Sequence, residues 1–270
     1  MIKNNQLHQT SIRKANKARI FNEFKNYGIA VFLLILFFIL WQFATSSSFE
    51  RLIPKPSTIV QTIIDKWPLL ATNSKQTLFE AVVGFLIGTS TGILIAIGFV
   101  YSKKFAKSIY PFLVFLQCMP LMALMPLLVL WFGTGLASKV VLITLATFFP
   151  TVINVVQGLI SLDKPTIEFM ETLNASEMQI FWKARVPFSI PYLFTAMRVT
   201  VTTAILGAII SEWLWATKGL GAVIVLAMFN AQVEVLWASM ALATIFSLLA
   251  FSLIVILEKL VIPWHISNQE

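Results

Sequence analysis

The chain has 270 residues, 58% of them apolar and only 12% charged, with a formal net charge of +8. Soluble domains carry about twice that share of charge, so water is not its main solvent and an ordinary soluble domain is excluded. The positive balance does not point to nucleic acid either. Lys3, Arg13, Lys14, Lys17, Arg19 and Lys25 all precede the first apolar stretch, and most aromatics lie inside apolar stretches rather than on a basic soluble face.

The apolar residues gather into stretches long enough to cross a hydrocarbon core about 30 Å thick at about 1.5 Å per residue. The predicted class is an all-α membrane protein with six spans, at about 27–45, 78–100, 109–132, 138–161, 191–214 and 235–262. Residues 1–26 form a basic tail held on the cytoplasmic side. The stretch from Tyr27 to Ala44 is too long for a signal-peptide core, and Ser46 to Ser48 make a poor cleavage site, so the first helix is retained. In the connection at 46–77, Ile59, Val60, Ile63, Ile64 and Trp67 recur at helical spacing and predict a short amphipathic helix at the interface. An even number of spans places both termini in the cytoplasm. The charges agree: the inner loop 101–108 carries Lys103, Lys104 and Lys107, and the outer turn 133–138 carries none. Residues 27–264 then form one transmembrane domain and 265–270 a short tail.

Gly84, Gly88 and Gly92 make small-xxx-small steps in the second span, which suit close helix packing. Pro111, Pro120 and Pro126 interrupt the third span, and each removes a backbone donor. Such a helix is kinked or broken, and freed backbone groups survive in a membrane only where protein or a watery cavity meets them. Pro120 and Pro126 are therefore candidate pathway or gating residues, with a kink that only serves packing as the alternative. Cys118 reads as a small buried apolar residue, and as the single cysteine it excludes an internal disulfide or thiolate cluster.

Glu80 and Glu212 lie toward span ends and Arg198 about two turns into the fifth span; each reads as an anchor that snorkels to water, with Glu212 also a gating candidate. The span centres hold no ionisable residue, which argues against a proton- or ion-driven carrier. No GxxxxGK[ST], HExxH or GxSxG occurs, and His8 and His265 sit at opposite extremities. The chain does not hydrolyse ATP alone, no catalytic residue, cofactor or metal is expected, and energy for pumping must come from elsewhere.

Between the fourth and fifth spans runs LDKPTIEFMETLNASEMQIFWKARVPFSIPYLF. Asp163 can cap a helix with Pro165 in its first turn, and Glu168 and Glu171 suit the positive end of its dipole. Asn174, Ala175 and Ser176 break that run, and Ser176 can cap a second helix from Glu177. The product is a helix-turn-helix across the cytoplasmic face. Some of Ile167, Met170, Leu173, Ile180, Phe181 and Trp182 must face the bundle, while the small knuckle projects and suits a groove on a partner. A surface helix pair without a partner is the alternative.

Glu168, then Asn174-Ala175-Ser176 six positions later, a helix, Val186-Pro187 and Pro191 resemble the EAA loop of binding-protein-dependent ABC permeases. Phe169 and Met170 replace that motif's two alanines and Asn174 its glycine; Asn is a good substitute where a left-handed residue is needed. Leu52-Ile-Pro-Lys-Pro-Ser57, the stretch from Pro126 to Lys139, Phe148-Phe-Pro150 and Lys218-Gly-Leu-Gly221 look like the nitrate, sulfonate, taurine and thiamine-precursor group of such permeases.

The resemblance implies a type I importer permease in a bacterial inner membrane, paired with a second copy of itself, two cytoplasmic ATPase subunits and an extracytoplasmic solute-binding protein. Glu168, Glu171, Asn174, Ala175, Ser176 and Pro187 would then couple the spans to the ATPase. Ser211-Glu212-Trp213 and Ile262-Pro263-Trp264 look closer to permeases for heterocyclic vitamin precursors such as the thiamine pyrimidine than to the alkanesulfonate, taurine and nitrate branch. A membrane enzyme or scaffold is one rival class, and an autonomous channel or carrier is the other.

Overall fold

Backbone polar groups in hydrocarbon must be satisfied within their own segment, and the described elements of this chain are accordingly helical. The computed structural model describes residues 28–29, 31–45, 52–214 and 216–262, without the side chain of Lys103. The basic tail, Ser46 to Ser48, Pro263, Trp264 and both histidines lie outside them. Two compact units divide between Gln61 and Thr62.

In the first unit, α1 (Val31–Ala44) is an apolar helix with Phe37, Phe38 and Trp41 in ring contact. Its described length is below that of a full span, and residues 27 and 30 of the predicted one are not described. The Gln42 side chain donates to Ser57 Oγ (3.0 Å) and accepts from the Ser57 N–H (3.2 Å), tying α1 to the start of α2 (Pro56–Asp65). Ile59, Val60, Ile63 and Ile64 fall in α2, as their spacing predicts. Trp67 instead opens the next helix.

The second unit is a helix bundle. Its first long helix, α3, spans Trp67–Tyr101 with Pro68 in its first turn, and its 35 residues make it about 50 Å long. The predicted start near residue 78 is therefore too late: Asn73, Ser74, Lys75 and Gln76 are polar but helical. The third span is broken as its prolines require. Helix α4 (Lys103–Cys118) and helix α5 (Leu121–Phe132) meet at a 99° bend at Met119 and Pro120, whereas Pro111 and Pro126 sit within their helices. Cys118 is exposed rather than buried, because it stands at the end of α4 beside the bend and not within a packed helix face.

After α6 (Leu136–Ile160) come two short helices, α7 (Lys164–Thr172) and α8 (Glu177–Ile180). A π-helical turn at Phe181–Arg185 then leads into α9 (Val186–Glu212). The sequence reading missed α10 (Leu220–Phe229), which precedes α11 (Val233–Val261).

Helices α3 and α6 run parallel in one register. Glu80 pairs with Lys139, Gly84 lies on Ile143, Gly88 on Thr147 and Gly92 on Thr151, and Ala96 packs with Val155. Every step is four residues on both helices, so one stripe of small side chains meets one stripe of mostly β-branched ones. A Cβ on Gly88 would overlap Thr147 Oγ1 and stand 2.7 Å from the Thr144 carbonyl oxygen. Only glycine permits that approach.

The parallel register fixes the topology of what lies between. Because the start of α6 lies beside the first half of α3, Lys139 on Glu80, the chain from Tyr101 to Leu136 must return across the bundle, so α4 and α5 together make one crossing. Helix α9 runs back, with Tyr192 and Ser189 against Gly158 and Glu212 against Thr77. Helix α11 reverses again, with Phe194 packed on Ile254. Among the described residues, four helices are long and apolar enough to cross a membrane alone, and five spans result if the bent pair counts as one.

Candidate functional site

Two polar constructions stand at opposite ends of the bundle, about 30 Å apart along α3. The first is the α7–α8 corner. Asp163 precedes α7 and accepts from Thr166 Oγ1 (2.6 Å), although it makes no backbone cap. Glu168 lies beyond the first turn and Glu171 near the last, so neither meets the positive end of the dipole as predicted; Glu171 faces the negative end. The helix ends because Asn174 takes φ 55°, a left-handed conformation, and the Ala175 N–H turns back to the Met170 carbonyl (3.1 Å). Ser176 then starts α8 with a full capping box: its Oγ accepts from the Gln179 N–H (3.3 Å), and Gln179 Oε1 accepts from the Ser176 N–H (2.8 Å).

Ile180 and Phe181 are the residues of this corner that turn into the bundle, Phe181 packing with Ala96, Val155 and Leu159. Tyr101 lies against the Phe181 ring at 4.9 Å and Arg185 donates to the Leu159 carbonyl (3.0 Å), so the corner is fastened to the ends of α3 and α6. Pro187 follows directly on the π-helical turn, inside the continuous helical run Glu177–Glu212, where it removes one backbone donor. Phe169, Leu173, Met178 and Trp182 remain 64%, 66%, 56% and 60% exposed around the knuckle. Four large apolar side chains on a rigid, polar-capped corner make a surface that gains by being covered.

The second construction sits where α3, α6, α9 and α10 meet. Glu80 and Glu212 are 0% and 1% exposed, so neither snorkels. Because α3 begins eleven residues earlier than the predicted span, Glu80 lies inside the bundle rather than at its rim. Its Oε1 accepts from Lys139 Nζ (2.7 Å) and from Gln76 Nε2 (2.7 Å), while Oε2 has no partner among the described residues. Glu212 accepts from Thr77 Oγ1 (2.8 Å) and from the Gly221 N–H (2.7 Å). The Leu220 N–H donates to Thr77 Oγ1 (2.8 Å) and the Gly219 N–H to Asn73 Oδ1 (2.7 Å). The first N–H groups of a helix lack intrahelical partners. Here α10 has three of them filled by side chains from α3 and α9. Gly219 holds φ 113°, and any Cβ there would meet the Glu212 carboxylate.

Arg198 is not a free anchor either; its Nη2 lies 3.4 Å from Glu258 Oε1 of α11. Pro120 stands exposed at the 99° bend, and Pro126 is exposed on α5 between Met122 and Leu130, which are also exposed. Between α3, α4 and α6 a cleft of about 190 Å³ is lined in part by Phe99, Tyr110 and Phe149 with Gln117 and Gln157. None of its lining side chains carries a charge.

Lys139, Asn73 and Thr77 were missed as site residues. The signal for the first was a lysine inside the predicted fourth span, 138–161; the other two, four residues apart, gave only a polar patch at a presumed loop end.

The profile of a family described as "Binding-protein-dependent transport system inner membrane component" matches residues 88–265. A probable ABC transporter permease protein of Haemophilus influenzae is 32% identical over 225 residues, 82% of this chain and 92% of that protein. The formylaminopyrimidine transport permease protein ThiX of Halalkalibacterium halodurans is 33% identical over 215 residues, 79% of this chain and 86% of that one. Among solved structures, a chain of the MetNI methionine ABC transporter in inward-facing conformations is similar with a TM-score of 0.51 and 20% identity, covering 78% of this chain and 98% of that chain. That likeness is one of fold.

Proposed function

The chain belongs to the family of binding-protein-dependent transport inner membrane components, as a multi-pass permease subunit of an ABC importer, and from that premise we propose how its two ends divide the work. The α7–α8 corner docks a cytoplasmic ATPase and transmits its movement to α6 and α9. The opposite end faces an extracytoplasmic solute-binding protein. The observation that carries this reading is the corner itself, an exposed apolar surface around a left-handed Asn174, fastened to the ends of α3 and α6 and continuous with α9.

Charge supports the orientation. Lys104, Lys107, Lys164, Lys183, Arg185 and Lys259 lie at the α7–α8 end, whereas Lys66, Lys75 and Lys218 lie at the other and Lys139 is spent in an ion pair. With α1 as a sixth crossing, both termini are cytoplasmic, in a bacterial inner membrane. The functional pair is a homodimer, the commonest closed arrangement for identical subunits. Native mass spectrometry of the detergent-solubilised assembly with two copies of this chain supports it; a single copy, or a different permease beside it, refutes it.

The cargo is a neutral heterocycle of the pyrimidine kind. The name of the ThiX relative supports this, and so does the charge pattern, since Arg198 is matched by Glu258 and the uncharged cleft offers aromatic faces and two amides. The test is reconstitution with ATPase and binding protein. ATP-dependent uptake of a formylaminopyrimidine supports the reading. Uptake of taurine or an alkanesulfonate instead overturns the cargo, and flux through this chain without any ATPase overturns the importer reading in favour of a channel.

A further inference from the structure

We propose that Asn73, Thr77 and Glu212 are positioning residues that clasp the start of α10 to α3 and α9, so that these helices move as one body during transport and α4–α5 moves against it. The inference rests on the permease reading above.

The clasp engages three consecutive backbone donors, at Gly219, Leu220 and Gly221, each held by a side chain from another helix. The Thr77 hydroxyl joins the two sides, giving its proton to Glu212 and accepting the Leu220 N–H. All three backbone positions are buried, as are Asn73, Thr77 and Glu212. Opening the clasp would therefore leave a carboxylate and three N–H groups without partners and without water, which is the arrangement proteins avoid most consistently.

Sliding is blocked as well as separation. The space a side chain would need at Gly219 is filled by the Glu212 carboxylate, and at Gly221 by the Ile209 carbonyl and Glu212 Cβ. Helix α6 joins the same body through the Glu80–Lys139 pair and the glycine ladder.

Helices α4 and α5 are held differently. Among the described residues no side-chain hydrogen bond or ion pair links either of them to another helix. Their attachments are apolar, Leu113 against Phe99 and Phe149, and Met125 and Leu128 against Leu142. Apolar contacts are non-directional and can be exchanged for one another at little cost during a shift. At the bend the Met119 N–H returns to the Leu116 carbonyl (3.1 Å) and the Pro120 carbonyl accepts from the Ala123 N–H (2.9 Å), so neither bond spans the two helices to resist a change of angle.

Hydrogen exchange on the complete transporter, compared between the nucleotide-free state and the state trapped with ATP and vanadate, tests this directly. Peptides covering 217–221 keep the same protection in both states, and peptides covering 117–123 change. Loss of protection at 217–221 in either state overturns the clasp, and unchanged exchange at 117–123 overturns the moving element. Glu212→Ala should lower the solute moved per ATP by about tenfold or more while ATP hydrolysis continues, and Glu212→Gln, which keeps an acceptor for Gly221, should restore most of it. Unchanged coupling in Glu212→Ala overturns the role. If that variant does not assemble, the wild-type exchange comparison decides. Co-purification of the ATPase reports on the permease reading separately.

Discussion

Replacing Gly88 by alanine adds one methyl group at the narrowest step of the α3–α6 ladder. Its carbon would overlap Thr147 Oγ1 and lie 2.7 Å from the Thr144 carbonyl oxygen and 3.2 Å from Thr144 Cα. Thr147 is not free to turn aside, because its hydroxyl is bonded to the Ile143 carbonyl (3.0 Å) within α6. Ordinary contact begins near 3.4 Å, so the Thr144 carbonyl alone makes the two backbones part locally by at least roughly 0.7 Å, enough to forfeit a sizeable fraction of the dispersion at neighbouring steps. Overpacking of this kind costs about 1–3 kcal/mol, and alanine's better helix propensity returns up to about 1 kcal/mol. From the middle of that range, about 2 kcal/mol, the net loss is about 1–2 kcal/mol, which for a domain of this size lowers Tm by about 2–8 °C. Thermal unfolding of the purified protein in detergent measures it. Gly135→Ala is the control, since nothing lies within 4 Å of the added carbon there. A Gly88→Ala protein as stable as Gly135→Ala would refute the ladder as the feature that sets the α3–α6 distance.

Lys139→Ala strands the buried Glu80 carboxylate and should cost about 3–5 kcal/mol, whereas Glu80→Met with Lys139→Met should recover most of that loss in a double-mutant cycle on thermal stability. Ala175→Trp should abolish co-purification with the ATPase by overfilling the docking groove, a cost of about 1–3 kcal/mol or more, without altering the amount of permease in the membrane; normal co-purification would reject the docking role. Asn174→Gly should be neutral at φ 55°, while Asn174→Val should cost about 1–2 kcal/mol and weaken ATPase binding in the same pull-down.

What the sequence made legible was local or periodic. Pro120 marks the break between α4 and α5, Ser176 its capping box and Asn174 its left-handed turn, because each acts on residues within one turn of itself. The stripe of Gly84, Gly88 and Gly92 announced a close helix neighbour but not which one. The start of α3 was lost because Asn73 to Gln76 lower the local hydropathy, although Asn73 serves the start of α10 and Gln76 serves Glu80 inside the bundle. Helix α10 was lost because its ten residues fall short of a span. Glu80 and Glu212 were misread for the same underlying reason: their partners stand 59 and 135 residues away in the chain, and a carboxylate looks alike whether water or a distant lysine receives it.

The separation of 59 residues between Glu80 and Lys139 is also an interval of time. At about 5–20 residues per second, synthesis delivers the ammonium about 3–12 s after the carboxylate. Throughout that interval α3 has no ladder partner, and an unpaired acid near mid-helix weighs against insertion by about 2.5–3.5 kcal/mol. The helix reaches its final depth only when α6 arrives to neutralise Glu80 and cover the glycines. Membrane integration of this chain is therefore ordered, with α3 completed by α6, and a nascent chain stopped short of Lys139 should hold α3 loosely enough for an alkali wash or a protease to reach it.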